Sequence, residues 1–489
     1  MLKKITLVHW IIFITLICAS FLRLYNIPST VQFLGDQGRD ALIVADIFKK
    51  LDPVFIGPVT SVGNMYLGPL YYYFMLPFLF LTYPSPMGPV YAVALLGIVT
   101  VFLMYYLGKQ FLPQRSVVWA TVLFGFSAVV AHNTRFSWNP NPAPFVSLFM
   151  LFFTYQALKK SPWHWVLVTA CFSILMQLHY LTMLSGLGFG VLWIYQLVTF
   201  IQQKKPLKKL MISTVASIGV FLIFLFPLIL FDIKHAGLNK NAFLNILTTQ
   251  EAFTTQEESS LQKMKTKLSL LEKRSELILV DVSVGKHSGR VNALIAVVTL
   301  ALFSFDIYKK KQQKKEYLGQ LILLSFLVTG IIGTTLYQKD IYEHYIAYLF
   351  PVTFLVIGSV LDFLSTKKII GYALIIGFLA LFVKFNYLHG KVILNPLGWT
   401  IAHIQATAKT IEDRVSATEK YNIVLLNDTR DLYGQNYRYF LHTSEKPPVA
   451  QEELSQVETL FIIDEQRKYT PETALELPIY EIITFGSTN

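Results

Sequence analysis

Apolar runs of close to 20 residues recur along most of this chain and constrain its fold more than any other feature. A helix needs about 20 consecutive apolar residues to cross the hydrocarbon core of a bilayer. Hydrophobic residues make up 54% of the 489 positions and charged residues only 15%, whereas soluble proteins carry about 25% charge. We therefore expect an all-α polytopic membrane protein with about 11–12 transmembrane segments. The runs lie near 5–25, 68–83, 88–107, 117–131, 143–158, 163–180, 183–201, 211–231, 291–308, 318–336, 346–363 and 369–388.

The positive charges of the chain lie between these runs. The formal net charge is +12, and Lys and Arg cluster in short connectors at 3–4, 109–115, 159–160, 204–209, 309–315 and 367–368. Clusters of this kind mark the cytoplasmic loops of membrane proteins. The pattern argues against a nucleic-acid partner. It predicts a plasma-membrane protein with a cytoplasmic N-terminus and a retained first span.

The basic connectors also divide the remaining loops between the two sides. With the connectors inside, the outer side holds 26–67, 232–290 and everything after 389. Runs 68–83 and 88–107 cannot both cross while 109–115 stays inside. The first of them is flanked by prolines, so we expect it to be re-entrant or partly spanning.

The composition changes after residue 388. Residues 398–418 repeat apolar positions at helical spacing, and short apolar runs at 422–426, 460–463 and 480–485 are typical of strands. We therefore divide the chain into a transmembrane domain, 1–388, and a small extracytoplasmic α/β domain, 389–489.

The segment 35–40, with the sequence GDQGRD, comes directly after the first span. Ionisable groups beside a bilayer core are costly and usually functional. In a helix from 36 to 51, Asp36 and Asp40 fall on the same stripe as Ile43 and Ile47. Both carboxylates should then point toward the protein interior, which makes them candidate catalytic groups, with Arg39 at the edge of the stripe. In the alternative interpretation Asp36 caps the helix, and Arg39 and Asp40 are surface charges.

Further polar residues lie in the predicted outer loops and at the outer ends of the apolar runs. The candidates for substrate binding are Asn64, Tyr66, Arg135, Asn139, Asn141 and His179. Lys234 and His344 are candidates for binding a phosphate. An aromatic belt at the membrane interface explains Tyr66 equally well. A structural role at the end of a span is the alternative for His179. Snorkelling or capping is the alternative for Lys234 and for His344. The sequence holds no P-loop, HExxH, CxxC or GxSxG motif, and it leaves a divalent metal possible without indicating its ligands.

The first outer loop and the segments after it resemble the membrane glycosyltransferases of family 39. That family includes protein O-mannosyltransferases and lipid A aminoarabinose transferases and has the GT-C fold. The resemblance rests on an amphipathic helix that opens with Asp36, on the start of the next segment, 68–72 (GPLYY), on the basic loop 109–115 and on the Arg135 loop. It covers roughly residues 1–200; beyond them it depends on topology.

The resemblance implies roles for the residues of segment 35–40. Asp36 matches the catalytic acid of the family, although Gln37 replaces the usual Glu. Arg39 matches an arginine that contacts lipid phosphate, and Asp40 supplies a second carboxylate. In the Arg135 loop, Asn139 and Asn141 stand where relatives carry an acid. These departures indicate a divergent branch.

The resemblance also implies a reaction. The donor would be a polyprenyl-phosphate sugar, and the acceptor, a protein, glycan or lipid, would be reached on the outer face. Transfer would invert the anomeric centre, with Asp36 as base. Two alternatives stay open: a polysaccharide polymerase or ligase, and a lipid-linked sugar transporter, although transporters usually show internal repeats and broken helices.

Overall fold

All twelve apolar runs form helices in the computed structural model, which describes residues 6–60, 65–248, 260–285, 291–337, 339–388, 400–427, 431–454, 457–465 and 480–484. In this part of the chain, eight helical segments are long and apolar enough to cross a membrane. They are Leu7–Leu24 (α1), Met87–Gly108 (α5), Tyr180–Gln202 (a 3₁₀ turn and α10, Ser185–Gln202), Lys208–Lys234 (α11), Val291–Gln312 (α14), Leu318–Leu336 (α15), Glu343–Leu364 (a 3₁₀ turn and α16, Phe350–Leu364) and Lys368–Leu388 (α17, Lys368–Val383, and a π turn).

The other four predicted runs form shorter helices. These are Leu70–Thr82 (α4), Gln114–Phe126 (α6), Ala143–Lys159 (α8) and His164–Leu178 (α9). The predicted class, a helical polytopic membrane protein, is confirmed. The connecting segments add Ile27–Thr30 (α2), Gly35–Lys50 (α3), Ala128–Asn133 (α7), Leu238–Thr248 (α12) and Ser260–Glu276 (α13), which ends in a π turn, Leu277–Asp281.

Helix α16 lies at the centre of the bundle. Of its spanning window, 94% is buried inside the protein, as expected for a helix that is apolar on every side. It packs closely on α6 at Gly358, which has no side chain to obstruct the approach. A Cβ atom at this position would lie 2.3 Å from the Ser116 carbonyl oxygen.

Four of the basic connectors lie together at one end of the bundle. The Lys159 ammonium pairs with Glu316 at 2.8 Å, and Arg115 donates to the Ser365 hydroxyl at 2.7 Å. These contacts join the connectors that come after α5, α8, α14 and α16. A Cβ atom at Gly319 would lie 1.9 Å from the Phe111 carbonyl oxygen, so these four connectors share one end of the bundle, as positive loops should.

The predicted run 117–131 is broken at Ser127, where α6 gives way to α7. The backbone groups freed by the break are satisfied by side chains from distant helices, as a membrane interior requires. Arg23 donates to the Gly125 carbonyl at 3.0 Å, Tyr387 donates to the Phe126 carbonyl at 2.7 Å, and Asn386 accepts from the Ala128 amide at 2.6 Å. This break directs the chain into the loop 134–142.

The C-terminal region is an α/β unit, as expected. Helix α18 (Ile401–Arg414) buries Ile404 and Ile411 completely. Strands β1 (Tyr421–Leu426), β2 (Thr459–Asp464) and β3 (Tyr480–Thr484) form a parallel sheet in the order β1-β2-β3, with Tyr421 opposite Thr459. Helix α19 (Gln435–His442) lies between β1 and β2 in sequence.

Helix α4 runs along α3 and ends at this C-terminal unit. The Tyr72 hydroxyl contacts Asp40 near the start of both helices, and Lys49 contacts Tyr83 at their ends. The Pro84 carbonyl accepts a hydrogen bond from Tyr439 of α19 at 2.9 Å. The turn between α4 and α5 is therefore on the side of the C-terminal unit, and the basic connector is at the other end of α5. Segment 68–83 consequently does not cross to the basic side.

Candidate functional site

Helix α3 begins at Gly35, one residue before the predicted start. The Leu34 amide donates to the Gln37 side-chain carbonyl at 2.7 Å, which satisfies a backbone group at this helix terminus. Gln37, rather than Asp36, is thus the side chain that closes the end of the helix. This removes the capping interpretation of Asp36, whose carboxylate lies in the first turn.

The Arg39 guanidinium joins the two candidate carboxylates. Its Nη1 donates to Asp36 Oδ1 at 2.9 Å, while its Nη2 and Nε donate to Asp40 Oδ1 at 2.7 and 3.0 Å. The Tyr72 hydroxyl also donates to Asp40 Oδ1, at 3.2 Å. We call Asp36, Arg39, Asp40 and Tyr72 the acid cluster. Tyr72 was not among the predicted site residues, because an aromatic belt explains the run of tyrosines at this point equally well.

Burial separates the two acids of the cluster. The Asp40 side chain is 2% exposed, that of Arg39 26% and that of Asp36 48%. Asp40 points inward as predicted, but the same prediction for Asp36 is wrong, since the first turn of α3 is not covered on that side. Burial raises the pKa of Asp40 to about 6, and the adjacent Arg39 limits the rise. The pKa of Arg39 is lowered by burial but raised more by the two carboxylates, with a net rise.

The C-terminal unit packs directly on the start of α3, through the two glycines of segment 35–40. A Cβ atom at Gly38 would lie 2.4 Å from the Gln435 carbonyl oxygen, and one at Gly35 would lie 2.1 Å from the Asp431 carboxylate. Asn436 donates to the Phe33 carbonyl at 3.1 Å. Burial raises the pKa of Asp431, and the negative charge of nearby Asp36 raises it further. Nothing in the local sequence around Asp431 indicates this contact.

Two predicted histidines meet in a cluster of aromatic rings. The ring of His344 lies tilted against that of Trp138 with centroids 4.3 Å apart, and the ring centroids of His179 and His344 are 6.4 Å apart. Tyr345 contacts both histidines, at 4.5 and 4.6 Å. The loop that carries Trp138 is joined to α4 by a hydrogen bond of 2.7 Å between Tyr71 and Ser137. Because Tyr72 is the next residue of α4, this links the aromatic cluster to the acid cluster.

Three predicted substrate-binding residues hold the backbone. Arg135 is buried and donates to the carbonyls of Leu22 and Tyr25, both at 2.8 Å, at the end of α1. Asn139 donates to the carbonyl that ends α9, and Asn141 to a carbonyl within its own loop. Arg135 and Asn139 thus fix the ends of helices, as buried polar groups usually do, whereas the Oδ1 atom of Asn141 is buried without a hydrogen-bond partner. Direct substrate contact by Arg135, Asn139 and Asn141 stays a prediction, and these hydrogen bonds give Arg135 and Asn139 a structural role as well.

Two further candidates, Tyr66 and Lys234, lie near the end of α11. Tyr66 packs edge-on against Phe231 at 5.7 Å, and its backbone amide donates to Asn239 at 2.8 Å. Lys234 is the last residue of α11 and is exposed. Asn64 lies outside the described residues.

The described residues include no group of three or more His, Cys, Asp and Glu side chains arranged to hold a metal ion. In the acid cluster the place between the two carboxylates is already taken by the Arg39 guanidinium. A divalent ion there would have to displace it, so the cluster in this arrangement does not fit a metal.

The backbone arrangement is similar to that of solved membrane enzymes. ArnT from Cupriavidus metallidurans, in a crystal structure bound to undecaprenyl phosphate, matches 97% of this chain and 90% of its own at a TM-score of 0.55 and 12% identity. The oligosaccharyltransferase AglB from Archaeoglobus fulgidus, in complex with an inhibitory peptide and a dolichol-phosphate, matches 91% of this chain at a TM-score of 0.53 and 12% identity. This chain covers 64% of the length of AglB.

The chain has the GT-C fold. By sequence alone it matches no family model and none of the curated proteins. The GT-C likeness therefore rests on the order and packing of the helices and on the C-terminal unit.

Proposed function

We propose that this protein is a membrane glycosyltransferase that moves a sugar from a polyprenyl-phosphate donor to an acceptor. The reaction would take place on the side of the membrane that carries α3 and the C-terminal unit, which we take to be the outer face. The observation that carries the proposal is the acid cluster: two carboxylates share one guanidinium at the first loop of a GT-C fold. The lipid phosphates in the two similar structures support the class of donor.

The two acids suit different tasks. Asp36 is half exposed and accessible to an acceptor, so we assign it the role of base that takes the proton of the acceptor hydroxyl. The acceptor oxygen then bonds to the anomeric carbon, the bond from that carbon to the phosphate oxygen breaks, and polyprenyl phosphate leaves. Attack from the face opposite the phosphate inverts the anomeric centre. Asp40 is buried and holds Arg39 in position.

Arg39 suits the phosphate. A guanidinium has five N–H donors; three of them bond to Asp36 and Asp40 and Tyr72 also interacts with the group, so at least one donor remains for a phosphate oxygen. Charge grows on the phosphate as the sugar leaves, and a fixed guanidinium stabilises that charge. The approach of the phosphate also draws Arg39 away from Asp36, which frees the base for the acceptor. Lys234 and His344 stay predicted as additional phosphate ligands, and Tyr66 and His179 as substrate contacts.

The test uses the full chain in lipid nanodiscs with an isoprenoid-phosphate sugar as donor. Asp36→Asn should lower turnover by about 10²–10⁴, and the matched control Asp52→Asn, an exposed acid just beyond α3, should retain the normal rate. Native mass spectrometry of gently extracted protein should show a bound isoprenoid phosphate. Normal turnover by the Asp36→Asn protein would contradict the assignment.

A second candidate is transfer of a preassembled glycan, as by a polymerase or ligase. The likeness to AglB, an oligosaccharyltransferase, favours it. Donors with one sugar and with several sugars distinguish the two activities, because a single-sugar transferase releases polyprenyl phosphate faster from the short donor.

A further inference from the structure

A polar cleft lies between the second half of α3 and α19, beyond the contact made by Gly35 and Gly38. It has a volume of about 450 Å³. The two helices touch through their backbones at Gly38, and the cleft opens from Leu42 onward. We call it the α3–α19 cleft. The acid cluster does not line it.

The cleft carries a net positive charge. Its lining includes Lys49, Lys50, Arg438 and one acid, Asp46, so three positive charges and one negative charge give a net charge of +2. Lys50 pairs with Asp46 at 2.8 Å, and both side chains are more than half exposed. The Lys49 ammonium lies 4.3 Å above the ring of Tyr83. A positively lined concave surface concentrates anions.

Neutral hydrogen-bonding groups make up most of the remaining polar lining. Gln435 and Gln451 are bonded to each other at 2.5 Å, and Thr443 and His442 lie beside them in the lining. Burial and the adjacent cations lower the pKa of His442, so at neutral pH its ring acts as a hydrogen-bonding group without charge. The Arg438 guanidinium is occupied by the carbonyls of Tyr433 and Ile423, which leaves the two lysines to meet a ligand.

We propose that the α3–α19 cleft binds the acceptor, and that the acceptor is an anionic sugar chain with carboxylate or phosphate groups. The inference rests on the proposed transferase function. The amides and hydroxyls suit sugar hydroxyls, and Lys49 and Lys50 suit the acidic groups as point charges. Lys49 lies thirteen residues after Asp36, which at 1.5 Å per residue is about 20 Å along α3. An extended chain held in the cleft therefore lies along the helix that carries Asp36.

The experiment measures binding to the full chain in nanodiscs of zwitterionic lipid, without donor. The probes are tetragalacturonate, a phosphorylated maltotetraose and neutral maltotetraose. We expect the Lys49→Gln/Lys50→Gln protein to bind the acidic probes about tenfold more weakly than the unchanged protein. The control Lys208→Gln/Lys209→Gln, an exposed lysine pair at the start of α11, should bind them normally. The tighter of the two acidic probes identifies carboxylate or phosphate as the preferred group.

Three results would overturn the proposal. They are equal binding of neutral and acidic probes, binding that the Lys49 and Lys50 substitutions leave unchanged, and binding of tetraglutamate or of anionic phospholipid vesicles in preference to the acidic sugars. Lys50→Gln alone, at a side chain that is 66% exposed, serves if the double variant fails to fold. Asp36→Asn should bind the probes normally. If the Asp36→Asn protein keeps full turnover while the lysine variants still lose binding, the catalytic role of Asp36 is refuted and the binding of acidic sugars in the α3–α19 cleft is still supported.

Discussion

Replacement of Gly38 by Ala tests whether the C-terminal unit and the acid cluster depend on the same contact. The added Cβ would lie 2.4 Å from both the Gln435 carbonyl oxygen and the Asn436 Cα, whereas ordinary contact begins at 3.4 Å. The added Cβ is therefore about 1 Å too close, and α3 and α19 must separate by that amount because the obstructing atoms are backbone atoms. Such overpacking costs about 2–3 kcal/mol. Ala is favoured over Gly in a helix by about 1 kcal/mol, so the net loss should be about 1–2 kcal/mol.

Hydrogen exchange measures this loss locally. Each 1.4 kcal/mol is a factor of ten in an equilibrium constant, so the amides of α19 should exchange about tenfold faster in the Gly38→Ala protein. Transfer activity should fall as well, since Asp36 and Arg39 lie on the same turns of α3. The control is Gly219→Ala in α11, where an added Cβ meets nothing within 4 Å. Unchanged exchange in α19 together with normal activity would refute the close packing of these helices.

Three further perturbations test individual side chains of the site. Arg39→Lys keeps the positive charge but loses the planar set of N–H groups, so the KM for the sugar donor should rise about tenfold in a steady-state assay. An unchanged KM would contradict the proposed contact between Arg39 and the phosphate. Burial raises the pKa of Asp40 from its ordinary value of 3.8 to about 6. The neutral carboxyl therefore makes its full contribution to the free energy of unfolding below pH 3.8, and that contribution is lost as the pH rises through 6. Asp40→Asn should therefore gain up to about 3 kcal/mol relative to the unchanged protein between pH 4 and 7, and a flat difference in unfolding measurements across that range would contradict this. Arg135→Gln removes charged hydrogen bonds to the end of α1 and should destabilise the protein by about 3 kcal/mol with a normal donor KM; a raised KM in folded protein would restore its predicted role in binding.

The helices and strands could be predicted from the sequence because their signals are local. A run of about 20 apolar residues has one stable form in a bilayer, a helix, and all twelve runs are helical, although run 117–131 is broken into two helices at Ser127. The strands predicted at 422–426 and 460–463 occur at Tyr421–Leu426 and Thr459–Asp464. The inward direction of Asp40 could be derived from helical periodicity alone.

The tertiary structure decided which polar groups meet. Asp431 lies against Gly35, and His344 lies beside His179, across long stretches of chain whose spacing carries no periodic signal. Arg135 has the same local features as a ligand-binding arginine, yet its donors close the end of α1. A polar side chain bonds to whichever partner the folded chain brings within about 3 Å, and local sequence patterns do not specify that partner. The membrane helices were therefore predictable from the sequence, whereas packing decided which polar side chains meet in a cluster and which hold the backbone.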